Sequence, residues 1–522
     1  MEHIVVPPNV PRVLLRRRSS GSSHAGSDHE RSPEVPTVDV ILDNSLPAEQ
    51  LKREVLMLIL RLKLPRWRSL PISEYPFIKI SRISGALTNA VYCVSPPAQY
   101  MHPSHRAHHT EPHTPADSGS SQKLPRPKSA TSLVHIGHIP QLLLRVYGPN
   151  TSQIIDRATE LAVLKRLAAR NIGPRILGIF TNGRFEQFLK ATTLTKEDIR
   201  KPEVSRGIAK RMRELHDGVD LTMDERLGGP GLWKNFAKWS MDAKEALDRL
   251  DKLVPEDQDP NANPCGPPWT TKKVLMADWP TFMEGARRYK EWLEAAYGGE
   301  EAVNKGLVFA HNDAQYGNLL RVELPLGSPL LQPAHEHRAL VVIDFEYASP
   351  NTRGYDIANH FSEWMADYHH PTRPQDLHSE KFPNLEERSR FIESYVTHTF
   401  EDFDELETID KMIAVLHSEA TKWNAACQLG WCVWGIISAK IDAEPEEDEE
   451  GFVDVVESNQ ETAKETLEAD PFDYLDHASQ RAALFWGELA VRGIPIPEGV
   501  DMTRAMYLEK PRDKGLVTEK SE

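Results

Sequence analysis

Residues 307–319 read Leu307-Val308-Phe309-Ala310-His311-Asn312-Asp313-Ala314-Gln315-Tyr316-Gly317-Asn318-Leu319. The first four residues are apolar and predict a short buried strand, and the polar residues after it have the form H-x-D-x-x-x-x-N. Phosphoryl transfer to an alcohol needs a carboxylate that accepts the hydroxyl proton and a metal ligand at a fixed distance from it. A loop with an Asp and, five residues later, an Asn supplies both groups. We therefore predict Asp313 as the base and Asn318 as a Mg²⁺ ligand.

A second apolar run ends in carboxylates, in Val341-Val342-Ile343-Asp344-Phe345-Glu346. Magnesium prefers one or two carboxylates together with phosphate oxygens and water. We predict Asp344 as the second Mg²⁺ ligand, with Glu346 assisting it. Each motif alone has a structural explanation, because His311 could be a core histidine and Asp344 a turn residue. The joint order, spacing and strand context favour the catalytic interpretation.

The composition limits the class of protein. The chain has 522 residues, 40% of them hydrophobic, and its net charge of −15 argues against a nucleic-acid binder, which would present a basic face. Four cysteines without a C-x-x-C pair, and no secretory apolar segment at the N-terminus, predict a cytoplasmic location. The apolar stretch 425–439 contains Gln428 and is shorter than the roughly 20 residues that a bilayer needs, so we predict a buried helix and no transmembrane segment.

The patterns along the chain predict an α+β protein with two lobes. Alternating residues in 78–94 and strand patterns up to residue 189 indicate a small, mainly antiparallel sheet with one helix at about 151–170. From Lys196 onward the pattern is mainly helical. The predicted segments are a disordered tail (1–36), an N-terminal helical segment (37–72), the N-lobe (73–190) with a disordered insertion (95–140), the C-lobe (191–500) with an acidic loop (442–470), and a C-terminal tail (501–522).

Two of these segments leave alternatives open. The tail carries Arg16-Arg17-Arg18-Ser19-Ser20, which fits either a solvated tail or a phosphorylation switch. The insertion contains five histidines that offer imidazoles to a metal, but Pro103 and Pro112 oppose a helix that would align them. We therefore interpret the insertion as a disordered segment. Its histidines are His102, His105, His108, His109 and His113.

The sequence resembles the choline/ethanolamine kinases. Residues 311–318 look like their phosphotransferase loop, and residues 343–364 look like their signature almost position for position. The similarity extends from about Ile78 to Trp486, and residues 36–71 resemble the extra N-terminal segment of fungal choline kinases. The resemblance implies a two-lobed protein-kinase-like fold and transfer of the γ-phosphate from ATP, with Mg²⁺, to choline. The product would be phosphocholine, in the first step of CDP-choline phosphatidylcholine synthesis.

The same resemblance implies a set of nucleotide-binding residues. Ser84 to Ala90 matches the nucleotide loop of the family, although it has one glycine and alone would be an ordinary hairpin turn. Arg145 occupies the strand position of a phosphate-binding cation, with Glu160 as its ion-pair partner; otherwise Arg145 is a solvent-facing strand residue. The implied ATP-binding residues are Gly85, Ala86, Leu87, Thr88, Asn89, Arg145, Gln187, Gln315 and Asp344.

A choline site needs aromatic faces, because a quaternary ammonium group donates no conventional hydrogen bond. Trp431 and Trp434 are three residues apart, so one helix face can carry both; core packing is the alternative explanation. The resemblance implies that the choline-binding residues are Tyr347, Glu363, Tyr368, Trp431, Trp434 and Phe472. His477 departs from the family, which has a tyrosine there, and Tyr474 could replace it in another register.

Several other protein classes fit parts of the sequence. An ethanolamine kinase or a dual-specificity enzyme fits the same motifs, and an aminoglycoside phosphotransferase shares the H-x-D-x-x-x-x-N loop. A protein kinase is disfavoured because the chain has no G-x-G-x-x-G, D-F-G or A-P-E motif. A nucleotide-binding scaffold without catalysis would be expected to lack Asp313, Asn318 or Asp344. The resemblance suggests a homodimer, which the sequence itself leaves open.

Overall fold

The computed structural model describes residues 35–83, 89–101, 138–147, 157–170, 172–253, 269–324, 328, 332, 335–398, 406–439 and 472–509. The predictions for most of the N-terminal tail, the nucleotide loop, the histidine-rich stretch and the acidic loop lie outside these residues. The described residues divide into two compact units. The smaller holds residues 35–157 and 173–190, and the larger holds residues 158–172 and 191–509.

The smaller unit is built on one six-stranded sheet. Its strand order is β1-β5-β6-β4-β3-β2, and every neighbouring pair is antiparallel except β1 and β5, which are parallel. The strands are β1 (Thr37–Val38), β2 (Lys79–Arg82), β3 (Asn89–Ser95), β4 (Leu142–Tyr147), β5 (Ile176–Phe180) and β6 (Gly183–Gln187).

The N-terminal helical segment shares a core with this sheet. Helix α1 (Ala48–Arg61) has its apolar residues at helical spacing, with Glu49 in its first turn and Arg61 in its last, where each charge favours the helix dipole. Its face around Val55 and Ile59, both fully buried, packs into one cluster with the sheet residues. The segment therefore folds as part of the smaller unit.

The larger unit contains two small sheets. One has the order β10-β9-β7 and the other pairs β11 with β8, and all these pairs are antiparallel. The strands are β7 (Ala191–Thr193), β8 (Leu307–Ala310), β9 (Leu319–Val322), β10 (Leu340–Val342) and β11 (Ser349–Thr352). The apolar runs at 307–310 and 340–342 thus form strands, as their composition predicts.

The rest of the larger unit is helical. Its centre is the pair formed by the long helix α11 and the C-terminal helix α12, whose apolar residues are buried against each other. In the described residues, no helix is both long enough and apolar enough to cross a bilayer. The helices are α2 (Arg157–Ala169), α3 (Pro202–Gly218), α4 (Met223–Leu227), α5 (Gly231–Lys252), α6 (Thr271–Leu275), α7 (Trp279–Tyr297), α8 (Glu300–Lys305), α9 (Arg353–Ser362), α10 (Leu385–Thr397), α11 (Leu406–Ser438) and α12 (Tyr474–Val491).

The structure differs from the sequence predictions at two segment edges. Residues 95–101 and 138–140 fall in the predicted disordered insertion, yet they are ordered by hydrogen bonds such as Gln141 Nε2 to Ser95 Oγ (2.7 Å). Residues 501–509 fall in the predicted C-terminal tail, but the amide of Met506 donates to the carbonyl of Ala483 on α12 at 3.1 Å. In both places the ordered structure extends beyond the strand or helix that the sequence pattern predicts, because nearby backbone and side-chain groups supply hydrogen-bond partners.

Candidate active site

Two loops of the larger unit carry the predicted catalytic residues. The first follows β8 and the second follows β10. Because Val342 pairs with Leu319 in the β10–β9 ladder, the second loop begins beside the end of the first, and the Ile343 amide donates to the Asn318 carbonyl at 3.0 Å. The strand register therefore brings Asp344 next to the H-x-D-x-x-x-x-N loop.

Each loop contains one residue with a left-handed backbone. The φ angles are 64° at Asn312 and 65° at Asp344, and neither residue is glycine. Such conformations cost free energy and persist only where surrounding contacts enforce them, which is frequent at functional sites. At Asn312 these contacts are visible, because its side-chain amide donates to the Tyr347 carbonyl at 2.9 Å and its carboxamide oxygen accepts from Asn351 at 2.8 Å.

The buried carboxylate of Asp356 anchors the first loop through hydrogen bonds to its backbone. Asp356, on α9, accepts hydrogen bonds from the backbone amides of His311 (2.9 Å) and Asn312 (2.7 Å), and it lies 2.8 Å from His216 Nε2 on α3. Burial alone would raise the pKa of Asp356, but these partners hold it below its usual value, so the carboxylate stays charged. Tyr395 in turn lies 2.7 Å from His216 Nδ1.

His311 is a structural residue of this loop. Its ring is fully buried, its Nδ1 accepts from the Asp313 amide at 3.2 Å, and its Nε2 lies 3.0 Å from the Ile343 carbonyl. A neutral ring with the proton on Nε2 satisfies both contacts, and burial lowers the pKa of His311 in agreement with this. The ring thus joins the loop of Asp313 to the loop of Asp344.

Asp313 and Asn318 are in direct contact. The Asn318 side-chain Nδ2 donates to both the Asp313 carbonyl (2.9 Å) and the Asp313 carboxylate Oδ2 (2.8 Å). Burial, followed by the nearby carboxylates of Glu363, Asp344 and Glu346, raises the pKa of Asp313 well above its usual value. The four carboxylates therefore lie close enough to interact electrostatically.

The donor set beside Asp313 fits Mg²⁺. The carboxylates of Asp344 and Glu346 are hard oxygen ligands. Since Asn318 uses its Nδ2 on Asp313, the polar atom that it has left is the carbonyl oxygen Oδ1, which is also a magnesium ligand type. The negative charge that raises the pKa of Asp313 is the charge that a bound cation would neutralise.

Aromatic rings from four parts of the chain gather beside the first loop. The rings of Trp431 and Trp434 on α11 pack edge to face with their centroids 5.4 Å apart, and the Tyr347 and Trp431 ring centroids are separated by the same distance. Trp434 donates its indole N–H to the Tyr347 hydroxyl at 2.9 Å. The ring centroids of Phe472 and Tyr368 are 6.4 Å apart. All five predicted aromatic residues therefore lie in one region of the larger unit.

The aromatic group is tied to the catalytic loop through one amide. Trp431 donates its indole N–H to Asn359 Oδ1 at 2.7 Å, and Asn359 Nδ2 donates to the Asn312 carbonyl at 2.9 Å. Asn359 lies on α9 and is fully buried. Two hydrogen bonds therefore link Trp431 to the backbone of the loop that carries Asp313.

Glu363 belongs to a buried ion pair. Its Oε1 accepts from Arg481 of α12 at 3.2 Å, its Oε2 accepts from the Tyr368 hydroxyl, and the side chains of Glu363 and Arg481 are 2% and 1% exposed. Arg481 also donates to Gln428 Oε1 at 3.0 Å. The predicted anionic member of the pocket is thus balanced by a cation that the sequence reasoning did not single out.

His477 and Tyr474 both line the aromatic group. The centroid of the His477 ring lies 5.2 Å from that of Phe472 and 6.3 Å from that of Trp434, and the Tyr474 and Trp434 ring centroids are 5.8 Å apart. His477 Nδ1 lies 3.2 Å from the Gln375 carbonyl, and its Nε2 accepts from Arg481 at 3.2 Å. Burial lowers the pKa of His477 to about 3, so the ring is neutral and acts as a packing surface.

The predicted nucleotide-binding residues are distributed over both units. In the smaller unit, Arg145 Nε lies 3.7 Å from Glu186 Oε1, and Gln187 accepts from Arg175 at 3.3 Å. In the larger unit, Gln315 Oε1 accepts from the Gly317 amide at 2.7 Å and so caps the turn before Asn318. Glu160, the predicted partner of Arg145, lies on α2 in the larger unit and stays a prediction. Residues 84–88 and the side chain of Asn89 lie outside the described part.

Sequence reasoning missed the residues that support the site. Asp356 and Asn359 stand inside the signature run, but nothing in their spacing assigns them a role. Gln428 carried a usable signal, because it is a polar residue within an otherwise apolar helical stretch, whereas Arg481 follows several polar residues and carried none. A polar residue in such an apolar stretch needs a buried partner. His216 carried no such signal.

Comparison with known proteins places these residues in a family. The family model for choline/ethanolamine kinase matches residues 80–486, and the model for the choline kinase N terminus matches residues 27–71. A choline kinase of Saccharomyces cerevisiae is 33% identical, with 90% of this chain and 81% of that protein covered. A choline kinase of Schizosaccharomyces pombe is also 33% identical, over 87% of this chain and 92% of its own length. An ethanolamine kinase of Saccharomyces cerevisiae is 27% identical, over 94% and 85%.

A solved structure resembles the chain as well. The crystal structure of a choline kinase from Cryptosporidium parvum superposes with a TM-score of 0.54 at 21% identity, covering 85% of this chain and 98% of that one. At this identity the likeness concerns the fold. It confirms the predicted α+β, protein-kinase-like fold class.

Proposed function

The chain belongs to the choline/ethanolamine kinase family, and we propose that it is an ATP-dependent choline kinase. The observation that carries this proposal is the link from Trp431 through Asn359 to the loop of Asp313. It sets an aromatic surface, which suits a quaternary ammonium group, at a fixed position relative to a carboxylate that suits a hydroxyl.

The proposed reaction moves one proton and one phosphoryl group. The choline hydroxyl donates its proton to a carboxylate oxygen of Asp313 as its oxygen forms a bond to the γ-phosphorus of ATP. The bond between that phosphorus and the β,γ-bridging oxygen breaks, and ADP leaves. Asn318 holds the Asp313 carboxylate by its 2.8 Å hydrogen bond, so the base keeps its orientation. The products are phosphocholine and ADP, which fits the first step of CDP-choline phosphatidylcholine synthesis.

We propose Asn318 and Asp344 as the residues that hold Mg²⁺, with Glu346 assisting. When bound there, Mg²⁺ would neutralise charge on the β- and γ-phosphate oxygens. The chain's contribution is the rigid placement of the two ligand residues. Asp344 is fixed by its left-handed backbone after β10, and Asn318 is fixed by its two hydrogen bonds to Asp313.

The ATP site rests on the family resemblance. We propose that the loop containing Gly85, Ala86, Leu87, Thr88 and Asn89 approaches the phosphates through its backbone amides. The proposed side-chain contacts are Arg145, Gln187, Gln315 and Asp344. Arg145 is buried beside Glu186, which supports a fixed guanidinium rather than a solvent-facing strand residue.

Choline is favoured over ethanolamine by the character of the pocket. A quaternary ammonium gains from aromatic faces, and Tyr347, Trp431, Trp434 and Phe472 supply them. His477, where the family has tyrosine, uses both ring nitrogens on protein partners and therefore offers the substrate no hydrogen bond. Ethanolamine kinase activity is the second candidate function, because a relative with that name covers most of the chain.

The test is an assay of purified full-length protein with ATP and Mg²⁺, run on choline and on ethanolamine. We expect phosphocholine and ADP in equal amounts and a higher kcat/KM for choline. Asp313→Asn keeps the shape of the residue but removes the base, so it should reduce kcat by at least about 10²-fold. Asp376→Asn, at a partly exposed ion pair, is the matched control. Equal activity of wild type and Asp313→Asn would contradict the proposal. A higher kcat/KM for ethanolamine than for choline would identify ethanolamine as the preferred substrate.

Two further expectations are proposals on the same footing. The family resemblance suggests a homodimer, and light scattering on the purified protein would measure its mass. The cysteine pattern of the sequence suggests a cytoplasmic location, which fluorescence microscopy of a tagged chain would test.

A further inference from the structure

Three side chains that could bind a metal form a second cluster in the larger unit. Glu214 lies toward the end of α3, His337 lies in the 3-10 helix Glu336–Ala339 that leads into β10, and His398 is the C-cap residue of α10. One ligand atom from each residue lies within 4.8 Å of the other two. None of the three belongs to the predicted catalytic or binding residues.

Both imidazoles approach the same carboxylate oxygen. His337 Nε2 lies 3.1 Å from Glu214 Oε1, and His398 Nε2 lies 3.2 Å from it. The second oxygen, Oε2, is held by the guanidinium of Arg211. This partner orients the carboxylate so that Oε1 faces the two rings, which is how residues around a metal site fix the ligands themselves.

Two of the three separations between ligand atoms match those of a tetrahedral cation site, and the third is within 4.8 Å. Metal–ligand distances of about 2.0–2.1 Å place neighbouring ligand atoms about 3.3 Å apart. The two observed N···O distances, 3.1 and 3.2 Å, are close to this value. Without a cation the same atoms make hydrogen bonds, with each ring donating its Nε2–H to Glu214 Oε1. Coordination through Nε2 places the ring proton on Nδ1.

Solvent can reach the cluster from one side. The side chains of Glu214 and His398 are 30% and 18% exposed, whereas that of His337 is 5% exposed. Three protein ligands and one accessible position leave room for a water as the fourth ligand. Two imidazoles and one carboxylate suit zinc and its neighbours among the divalent transition metals, while Mg²⁺ prefers oxygen ligands.

We propose that Glu214, His337 and His398 bind a zinc-type divalent cation. The His337 Nδ1 atom is buried and has no hydrogen-bond partner in the described part of the chain, so the proton placed there offsets part of the binding free energy. We therefore expect a dissociation constant of about micromolar size, weaker than that of closed structural zinc sites.

The site has a role that follows from its three elements. Helix α3 also carries His216, which holds Asp356 under the catalytic loop, and the segment of His337 leads through β10 to Asp344. The cation links helix α3 and the segment of His337 to helix α10. It stabilises the framework of the active site and touches neither the substrate nor the catalytic residues.

The experiment titrates Zn²⁺ into chelator-treated, full-length protein saturated with ADP and Mg²⁺, and follows binding by calorimetry and unfolding by Tm. Zn²⁺ at about 100 times its Kd should raise the Tm by roughly 4 °C. Co²⁺ should give the visible absorption of a tetrahedral site. Glu214→Gln, which keeps the side-chain volume, and His398→Asn, at a partly exposed position, should each remove one binding equivalent, the Tm shift and the Co²⁺ absorption.

Two controls separate this site from other histidines. His378→Asn changes a half-exposed histidine that faces Glu380 at 3.4 Å, and it should leave all three signals intact. The double substitution of His108 and His109 by Ala removes imidazoles of the histidine-rich stretch and should also leave the Tm shift intact. The proposal is overturned if Glu214→Gln and His398→Asn bind Zn²⁺ as wild type does, or if Zn²⁺ leaves the wild-type Tm unchanged because the cluster is only hydrogen-bonded.

Discussion

Replacing Asp356 by Asn tests the support of the catalytic loop. The Asp356 carboxylate is fully buried and accepts from the His311 and Asn312 amides while contacting His216. An asparagine has the same shape but only one accepting oxygen. In either orientation of the amide, one of the two loop N–H groups faces an NH₂ group and loses its partner.

The expected loss can be worked out from these contacts. One hydrogen bond to a charged group contributes about 1.5–3 kcal/mol, and a buried donor left unpaired costs about 1–3 kcal/mol more. We therefore expect the free energy of unfolding of Asp356→Asn to fall by about 3–5 kcal/mol. The loop of Asp313 also loses its fixed position, and a displacement of about 1 Å can reduce kcat by about 10²-fold.

The assay combines urea unfolding with steady-state kinetics on choline. The folded-state pKa of Asp356 is lowered, so its stabilising contribution is present above the ordinary aspartate pKa of 3.8 and is lost as the pH falls through the lower folded value. The difference between wild type and variant should therefore shrink in strong acid. Asp376→Asn removes a partly exposed partner of Arg373 and should cost about 1 kcal/mol at most. If Asp356→Asn unfolds within about 1 kcal/mol of wild type and keeps its kcat, the buried carboxylate does not support the loop.

Three further predictions concern the aromatic group and its surroundings. Trp431→Leu should raise the KM for choline about 10–30-fold with little change in kcat, because a desolvated cation–π contact contributes about 2 kcal/mol. An unchanged KM, or an equal rise in the control variant Trp279→Leu at the start of helix α7, would contradict this. Arg481→Met should lower the free energy of unfolding by about 3–5 kcal/mol because it leaves the Glu363 carboxylate buried without its cation, and the double variant with Glu363→Gln should recover part of that loss. His477 has a folded-state pKa of about 3 against an ordinary value of 6.5, so the free energy of unfolding should fall by about 1.4 kcal/mol per pH unit below pH 6.5. His477→Gln should flatten this pH dependence, as measured by urea unfolding at pH 7 and pH 5. An equal slope in both proteins would show that this ring does not titrate as described.

Local patterns made much of the site predictable. The apolar runs before His311 and before Asp344 form β8 and β10, and the spacing from Asp313 to Asn318 produces a direct contact between the two side chains. These features depend on a few consecutive residues, for which alternation and turn chemistry carry the information. The aromatic residues were named through a family resemblance, because a Trp pair at helical spacing equally predicts core packing.

The sequence was enough to predict the catalytic loop, the strand that presents Asp344 and the mainly helical character of the larger unit. Which buried polar groups meet depends on the tertiary structure. His216 reaches Asp356 across 140 residues, and Arg481 reaches Glu363 across 118. A pattern within one segment cannot encode such partners, since they depend on how the helices and strands pack. Burial makes those pairings obligatory, because a charge without a partner in the core costs several kcal/mol.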